Sequence, residues 1–128
     1  MSNTNAIITI LGKQKLVKAR AGDTTLATIT GMAFGDGGVD GEGNVLTPLA
    51  SQSALNNELL RKQITSHTFI ADTTERYVCT LTSAELAGKM ISEIGLYDSA
   101  GDLVCIKNFL PKGKDSGIEQ TYTIDDIF

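Results

Sequence analysis

The sequence predicts an α+β fold: a mostly antiparallel β-sheet or sandwich with an N-terminal helix and two short helices. Three observations support this prediction. Several short runs alternate apolar and polar side chains, which is typical of strands. Turn sequences rich in glycine, aspartate and serine separate these runs, and two helix-start signals interrupt the series.

Length and composition indicate one globular domain. The chain has 128 residues, of which 41% are hydrophobic and 20% charged, and this is ordinary for a protein that buries its own core. We therefore expect a single domain over residues 1–128. Within it, the sequence predicts an N-terminal helix in residues 1–22, a β-rich core in residues 23–110, and a C-terminal strand and tail in residues 111–128.

The first helix is predicted over residues 7–21. Apolar side chains approximate a stripe along one face, and Gly22 follows as a stop signal. Gly12 lies inside this segment and weakens the pattern, since glycine is a poor helix former.

A strand and a short helix are predicted next. Residues 25–34 alternate and are rich in β-branched side chains, which favours a strand. After a glycine- and acid-rich loop, Thr47-Pro48 supplies a cap and a proline at the first helical position. This helix is predicted to end near Leu59 or Leu60.

The second half of the chain is predicted to form two antiparallel hairpins, a short helix and a last strand. Residues 82–85 fit a capping box, which predicts a helix of one to two turns stopped by Gly88. The last strand alternates from Ile118 to Ile124. The hairpins pair residues 61–70 with residues 77–81 across a turn at 72–75, and residues 90–97 with residues 103–110 across a turn containing Gly101.

Charge and hydropathy argue against nucleic acid and membranes as partners. The net charge is −4, whereas a phosphate-binding surface needs clustered lysine and arginine. The one basic cluster, from Lys13 to Arg20, spreads around the solvent side of the predicted helix. No apolar run approaches the roughly 20 residues of a membrane span, and the first residues lack a signal-peptide pattern. We expect a soluble protein made in the cytoplasm.

The two cysteines are predicted to be buried free thiols. Cys79 and Cys105 lie in strand-like apolar runs, without a CxxC spacing or a companion histidine cluster. This pattern is consistent with folding in a reducing compartment.

Two loop motifs that bind ligands in other proteins are incomplete here. Gly35-Asp-Gly-Gly38 has the wrong spacing for a dinucleotide loop and no following lysine. Asp40-x-Glu42-x-Asn44 has the first ligands of a calcium loop, but Val45 replaces the required glycine and Ser51 the bidentate acid. We expect the Asp40 loop to be a solvated turn, the glycines at 35 and 37 to permit turns or close backbone approach, and no metal or cofactor.

No catalytic group can be assembled from the titratable residues. His67 is the single histidine and has neither zinc-ligand partners nor a nucleophile signature nearby in sequence. Glu93 and Asp98 are the carboxylates that would suit a glycosidase, but alternation places them on opposite faces of one strand. Glu93 is instead expected on the solvent side of a sheet or paired with a lysine.

Four motifs, taken in order, resemble the N-terminal domain of phage tail-collar fibre proteins, and the resemblance spans roughly residues 7–110. They are Met32-Ala-Phe-Gly-Asp-Gly-Gly38, Pro48 in its loop, Ala54-Leu-Asn-Asn-Glu-Leu-Leu-Arg61, and the run from Ile91 to Leu103.

The resemblance implies a structural component of a phage tail or a phage-tail-like particle. It implies a short fibre or collar protein, or a baseplate adaptor, that binds baseplate or tail-fibre proteins as a homotrimer and has no enzymatic activity. Its location would be the virion tail, after assembly in the host bacterial cytoplasm. The alternatives are a freestanding ligand- or carbohydrate-binding module, against which the absence of tryptophan argues, and a small hydrolase.

Four residues are predicted to make contacts between subunits. Glu93 and Tyr97 lie on the strand face opposite Ile94 and Leu96. The apolar pair Ile127-Phe128 is expected to insert into a neighbouring subunit. Since no long shaft follows residue 128, the preferred expectation is an adaptor or collar protein to which another chain binds.

Overall fold

Eight strands in two antiparallel sheets and one helix make up residues 6–128, which are the residues that the computed structural model describes. The five-stranded sheet has the order β1-β7-β6-β2-β3, and the three-stranded sheet has the order β4-β5-β8. The elements are β1 (Ile7–Ile8), α1 (Ile10–Arg20), β2 (Ile29–Gly35), β3 (Glu58–Gln63), β4 (Ser66–Ala71), β5 (Thr74–Leu81), β6 (Met90–Asp98), β7 (Leu103–Gly113) and β8 (Gln120–Ile127).

The predicted α+β fold with three helices is wrong, because α1 is the only helix among residues 6–128 and the rest is β-rich. The segment after Thr47-Pro48 cannot be helical, since its later backbone N–H groups are used elsewhere. Asn56 and Asn57 donate these groups to the Glu93 carboxylate at 2.8 Å, and the chain then enters β3. A helix would need the same N–H groups for its own hydrogen bonds.

The predicted helix after residue 82 is also wrong, although the local capping signal is present. The Thr82 N–H donates to the Glu85 carboxylate at 2.8 Å, which is one of the two bonds of a capping box. Leu86 then has a φ of 51° and Gly88 a φ of 77°. This left-handed geometry ends the helical path within one turn.

Helix α1 begins later than predicted, because residues 7–8 form a short strand beside β7. The Thr9 hydroxyl caps the helix by accepting from the Gly12 N–H at 3.0 Å, and it donates to the Leu103 carbonyl at the same distance. A Cβ atom on Gly12 would lie 2.8 Å from the Val104 carbonyl oxygen. Glycine inside the helix therefore lets α1 pack directly on β7.

The predicted strand over residues 61–70 is two strands in different sheets. The Ile64 N–H donates to Thr30 of the five-stranded sheet, whereas the Thr65 N–H donates to Val78 of the three-stranded sheet. The chain thus crosses between the sheets at this point. The predicted hairpin of residues 90–97 with 103–110 is confirmed as β6–β7, and Gly101 has the expected positive φ of 85°. The other predicted hairpin is confirmed in part, as β4–β5, because residues 61–63 pair with β2 instead and β5 begins at Thr74, inside the predicted turn.

The main core lies between the two sheets. Phe34 and Tyr122 meet there edge to face, with ring centroids 5.3 Å apart. Strand β6 is buried on both faces, since a second apolar cluster covers its other side. The core residues are Met32, Phe34, Ile91, Ile94, Leu96, Cys105 and Phe109 from the five-stranded sheet, and Cys79, Leu81, Tyr122 and Ile124 from the three-stranded sheet.

Candidate functional site

Glu93 is the centre of a buried polar cluster. Its side chain is fully buried, and its carboxylate accepts three backbone N–H groups, from Gly37, Asn56 and Asn57, each at 2.8 Å. Hydrogen bonds to an ionised acceptor are stronger than neutral ones, so these three donors offset the cost of burying the charge. We call Glu93 and its three donors the Glu93 clasp.

The glycines of the Gly35-Asp-Gly-Gly38 turn are required by close approach to β6. A Cβ atom on Gly37 would lie 2.6 Å from the Asn56 Cβ atom and 2.9 Å from a Glu93 carboxylate oxygen. A Cβ atom on Gly38 would overlap the Ser92 backbone carbonyl. Close packing against β6 therefore accounts for the glycines of this turn.

Further side-chain hydrogen bonds around the Glu93 clasp connect the turn after β2, the segment before β3 and strand β6. The Asn56 amide donates to the Gly37 carbonyl at 2.8 Å, and the Asn57 amide donates to the Asp36 carboxylate at 2.6 Å. The Gly38 N–H donates to the Ser92 hydroxyl at 2.9 Å. Three of the four family-like motifs thus meet at one place, although they are far apart in sequence.

The prediction that Glu93 lies on the solvent side is wrong, because the connection between β2 and β3 covers that face of β6. Alternation did assign the face correctly, since Ile94 and Leu96 point into the main core. Asn56 and Asn57 were missed as partners of Glu93. The signal available for them was their place in the motif that ends at Arg61, but the helix predicted over this segment gave the two asparagines no partner on β6.

Tyr97 lies half-buried across the backbone of Gly31. A Cβ atom on Gly31 would overlap the Tyr97 ring, so glycine makes room for it. The Arg61 guanidinium lies 4.7 Å from the ring centroid, which is a cation–π distance, and donates to the Glu58 carboxylate and the Gly101 carbonyl. The contact role predicted for Tyr97 stays a prediction.

Asp98 joins helix α1 to the turn between β6 and β7. The Lys15 ammonium lies 2.5 Å from Asp98 and 2.7 Å from Asp102, and Asp98 also accepts the N–H groups of Ala100 and Asp102. Burial opposes the charge of Asp98. The hydrogen bonds from Lys15 and the two N–H groups outweigh burial and lower the pKa of Asp98.

The candidate catalytic groups do not converge. His67 is exposed and lies 2.7 Å from Glu75, with its ring 5.7 Å from that of Tyr77. Cys79 and Cys105 are buried free thiols, as predicted. Burial raises the pKa of Cys79 to about 11 and also raises that of Cys105, which lowers the fraction of reactive thiolate at both.

The calcium-like loop is an Asx turn. The Asp40 carboxylate accepts the backbone N–H groups of Glu42 and Asn44 at 2.8 and 3.0 Å. The hydrogen bonds from Asn44 and Glu42 lower the pKa of Asp40. Over residues 6–128 no group of three or more histidine, cysteine or acidic residues is placed to hold a metal ion.

The C-terminal pair lies at the end of the three-stranded sheet. Ile127 pairs with Thr74, and the Phe128 N–H donates to the Thr73 carbonyl. Both side chains are exposed, with 62% of Phe128 accessible to solvent. No helix in the described part of the chain is long and apolar enough to cross a membrane.

Comparison with known proteins identifies the chain. Residues 1–125 match the N-terminal region of phage tail-collar fibre proteins. A probable tail fiber protein of Escherichia phage P2 is 33% identical over 103 residues, which cover 80% of this chain and 15% of that protein. No solved structure matches.

These matches place the chain among the structural proteins of phage tails, and the matched part of the chain spans 15% of the length of its P2 relative. Within that class, it belongs to the tail-collar fibre family and corresponds to the N-terminal domain of that family.

Proposed function

We propose that this domain attaches a fibre or collar to the phage tail, as a short fibre or collar protein or as a baseplate adaptor, and that it works as a homotrimer. The observation that carries the proposal is the family match over residues 1–125. Its partners would be baseplate or tail-fibre proteins. The same role would suit a phage-tail-like particle.

Hydrogen bonds and ion pairs that fix loops and helix α1 to strand β6 support an attachment role. The Glu93 clasp and the Lys15–Asp98 pair tie the turn after β2, the segment before β3 and helix α1 to strand β6. A preorganised surface loses little conformational entropy when it binds, so more of the contact energy is available for attachment.

Exposed apolar residues supply candidate contacts. Ile127 and Phe128 lie side by side along the chain at the end of β8, and Tyr97 presents part of its ring beside Arg61. Aromatic and aliphatic residues of this kind are typical anchors of protein interfaces. We propose Tyr97, Ile127 and Phe128 as contact residues. Glu93 is left out, since its side chain is buried within its own chain.

Mass measurement by light scattering over a concentration series tests the proposal. The unchanged chain should show three times the monomer mass, and the double variant I127S/F128S should dissociate at a higher protein concentration than the unchanged chain. The control V17S removes an equally exposed apolar side chain, 67% accessible, from α1 and should keep the trimer.

A strict monomer at the highest concentration would overturn the trimer, and dissociation of V17S alone would move the interface to α1. Gold labelling of a tagged chain in assembled particles tests attachment separately. Label at the baseplate or at the tail-fibre junction supports the role, whereas label elsewhere contradicts it.

A further inference from the structure

A groove of about 360 Å³ opens between α1, the segment before β2 and the end of β8. This volume is within the range of sites that bind small ligands or single side chains. Its walls are mostly apolar, and Phe128 lies at its edge. The apolar wall residues include Leu16, Leu26, Ala27, Ile29, Tyr77 and Val104.

Asp126 lines this groove and has no partner among the described residues. It is only 8% exposed, and it occupies the inward position of β8 that follows Tyr122 and Ile124 in the alternation. No hydrogen bond or ion pair reaches its carboxylate from residues 6–128, and burial alone raises its pKa. An unpaired buried carboxylate is costly, so its presence on the inner face needs an explanation.

The charged neighbours of Asp126 do not neutralise it. Glu75 lies directly opposite Asp126 in the β5–β8 ladder, which places two acids side by side, and Glu75 is hydrogen-bonded to the exposed His67. Lys15 lines the same groove, but its ammonium is held by Asp98 and Asp102. The groove is therefore apolar along its walls and negative at one end.

We propose that this groove receives a lysine or arginine side chain of a partner tail protein, with the cationic group on Asp126 and the methylene stem on the apolar walls. A long basic side chain has this combination of an apolar stem and a charged end. A divalent metal ion suits the groove less well, since it requires several oxygen ligands, and no such group is placed within residues 6–128.

The source of the cation is inferred from the position of the groove. Phe128, one of the contact residues proposed above, lines the groove together with Asp126, so a chain that covers Phe128 would pass over Asp126. That the lysine or arginine side chain comes from a tail protein rests on the proposed function. The preference of the groove for a basic side chain is independent of that function, because it can be measured on this chain alone.

Peptide titration followed by ¹H–¹⁵N NMR tests the inference. The probes are acetyl-Leu-Arg-Leu-amide and its uncharged counterpart, in which norleucine replaces arginine. The arginine peptide should shift the amide signals of Ala27, Ile29 and Val104 in a saturable manner. Its affinity should fall about tenfold in D126N, since a charge-assisted hydrogen bond is lost. The control D125N removes the outward neighbour, which pairs with Arg76, and should keep the affinity.

Equal binding of the norleucine peptide, or unchanged affinity in D126N, would overturn the inference. Absence of saturable binding by the arginine peptide would also overturn it. Thermal unfolding provides a second measurement, because D126N removes an unpaired charge and should unfold at a higher temperature than the unchanged chain. A lower unfolding temperature would mean that Asp126 has a stabilising partner, and this also contradicts the inference. Light scattering can show a monomer while the arginine peptide still binds the groove. The homotrimer and the basic-side-chain site are therefore tested separately.

Discussion

At the scale of single residues, Glu93 allows a turn and a loop to pack against β6 without leaving three backbone N–H groups unpaired. A buried N–H group that loses its acceptor costs about 1–3 kcal/mol. The same carboxylate satisfies Gly37, Asn56 and Asn57, so the three contacts depend on one side chain. Replacing Glu93 should therefore weaken all three hydrogen bonds at once.

We expect E93Q to lower the free energy of unfolding by about 3 kcal/mol, because the new amide group would direct its own N–H toward backbone N–H donors. Urea unfolding followed by circular dichroism measures the change. E119Q is the matched control, since Glu119 is exposed, and it should stay within about 0.5 kcal/mol of the unchanged chain. A loss in E93Q no larger than that of the control would show that the Glu93 clasp contributes little to stability.

The face of Glu93 could be predicted from the sequence, but its surroundings could not. Alternation with Ile94 and Leu96 assigns the side chain to the opposite face of the strand. Whether that face meets water depends on which loop covers it, and residues 36–57 have no periodic pattern that shows where they pack. The Glu93 clasp is a non-local feature, and local signals do not contain it.

At the scale of elements, local signals predicted hairpins well and helices poorly. Hairpins depend on turn residues such as Gly101, whose positive φ is a local property. The capping box at residues 82–85 is also local and does form, but Leu86 turns away in a left-handed conformation while it packs against the core. Tertiary packing thus decides whether a helix start is followed by a helix.

Helix α1 shows the opposite case, in which a residue that weakens the helix pattern is required by packing. In an isolated helix, G12A should be stabilising by about 1 kcal/mol. Here we expect G12A to lower the free energy of unfolding by about 1–3 kcal/mol, because the new Cβ would lie 2.8 Å from the Val104 carbonyl oxygen.

Urea unfolding of G12A beside V17A makes the comparison. Val17 is exposed on the same helix, so V17A reports helix propensity without a packing change and should be neutral or slightly stabilising. If G12A were stabilising to the extent that propensity predicts, α1 would not be packed as closely on β7 as the structure has it.

At the scale of the whole molecule, one core is shared by the two sheets, and each sheet contributes one cysteine to it. Cys79 belongs to the three-stranded sheet and Cys105 to the five-stranded sheet, and both are buried. Neither thiol can meet a water-soluble reagent unless the sheets separate. Their reactivity therefore reports opening of the core as a whole.

We expect both thiols to resist a disulfide reagent in the folded protein at pH 7 and to react at once in denaturant. With its pKa raised to about 11, Cys79 is about one part in 10⁴ thiolate at that pH even where reagent reaches it. S116C, which adds an exposed thiol, should react rapidly at one site per chain and confirms that the reagent is active. Rapid reaction of one native cysteine, with the other protected, would show that the sheets open independently and that the molecule lacks a single cooperative core.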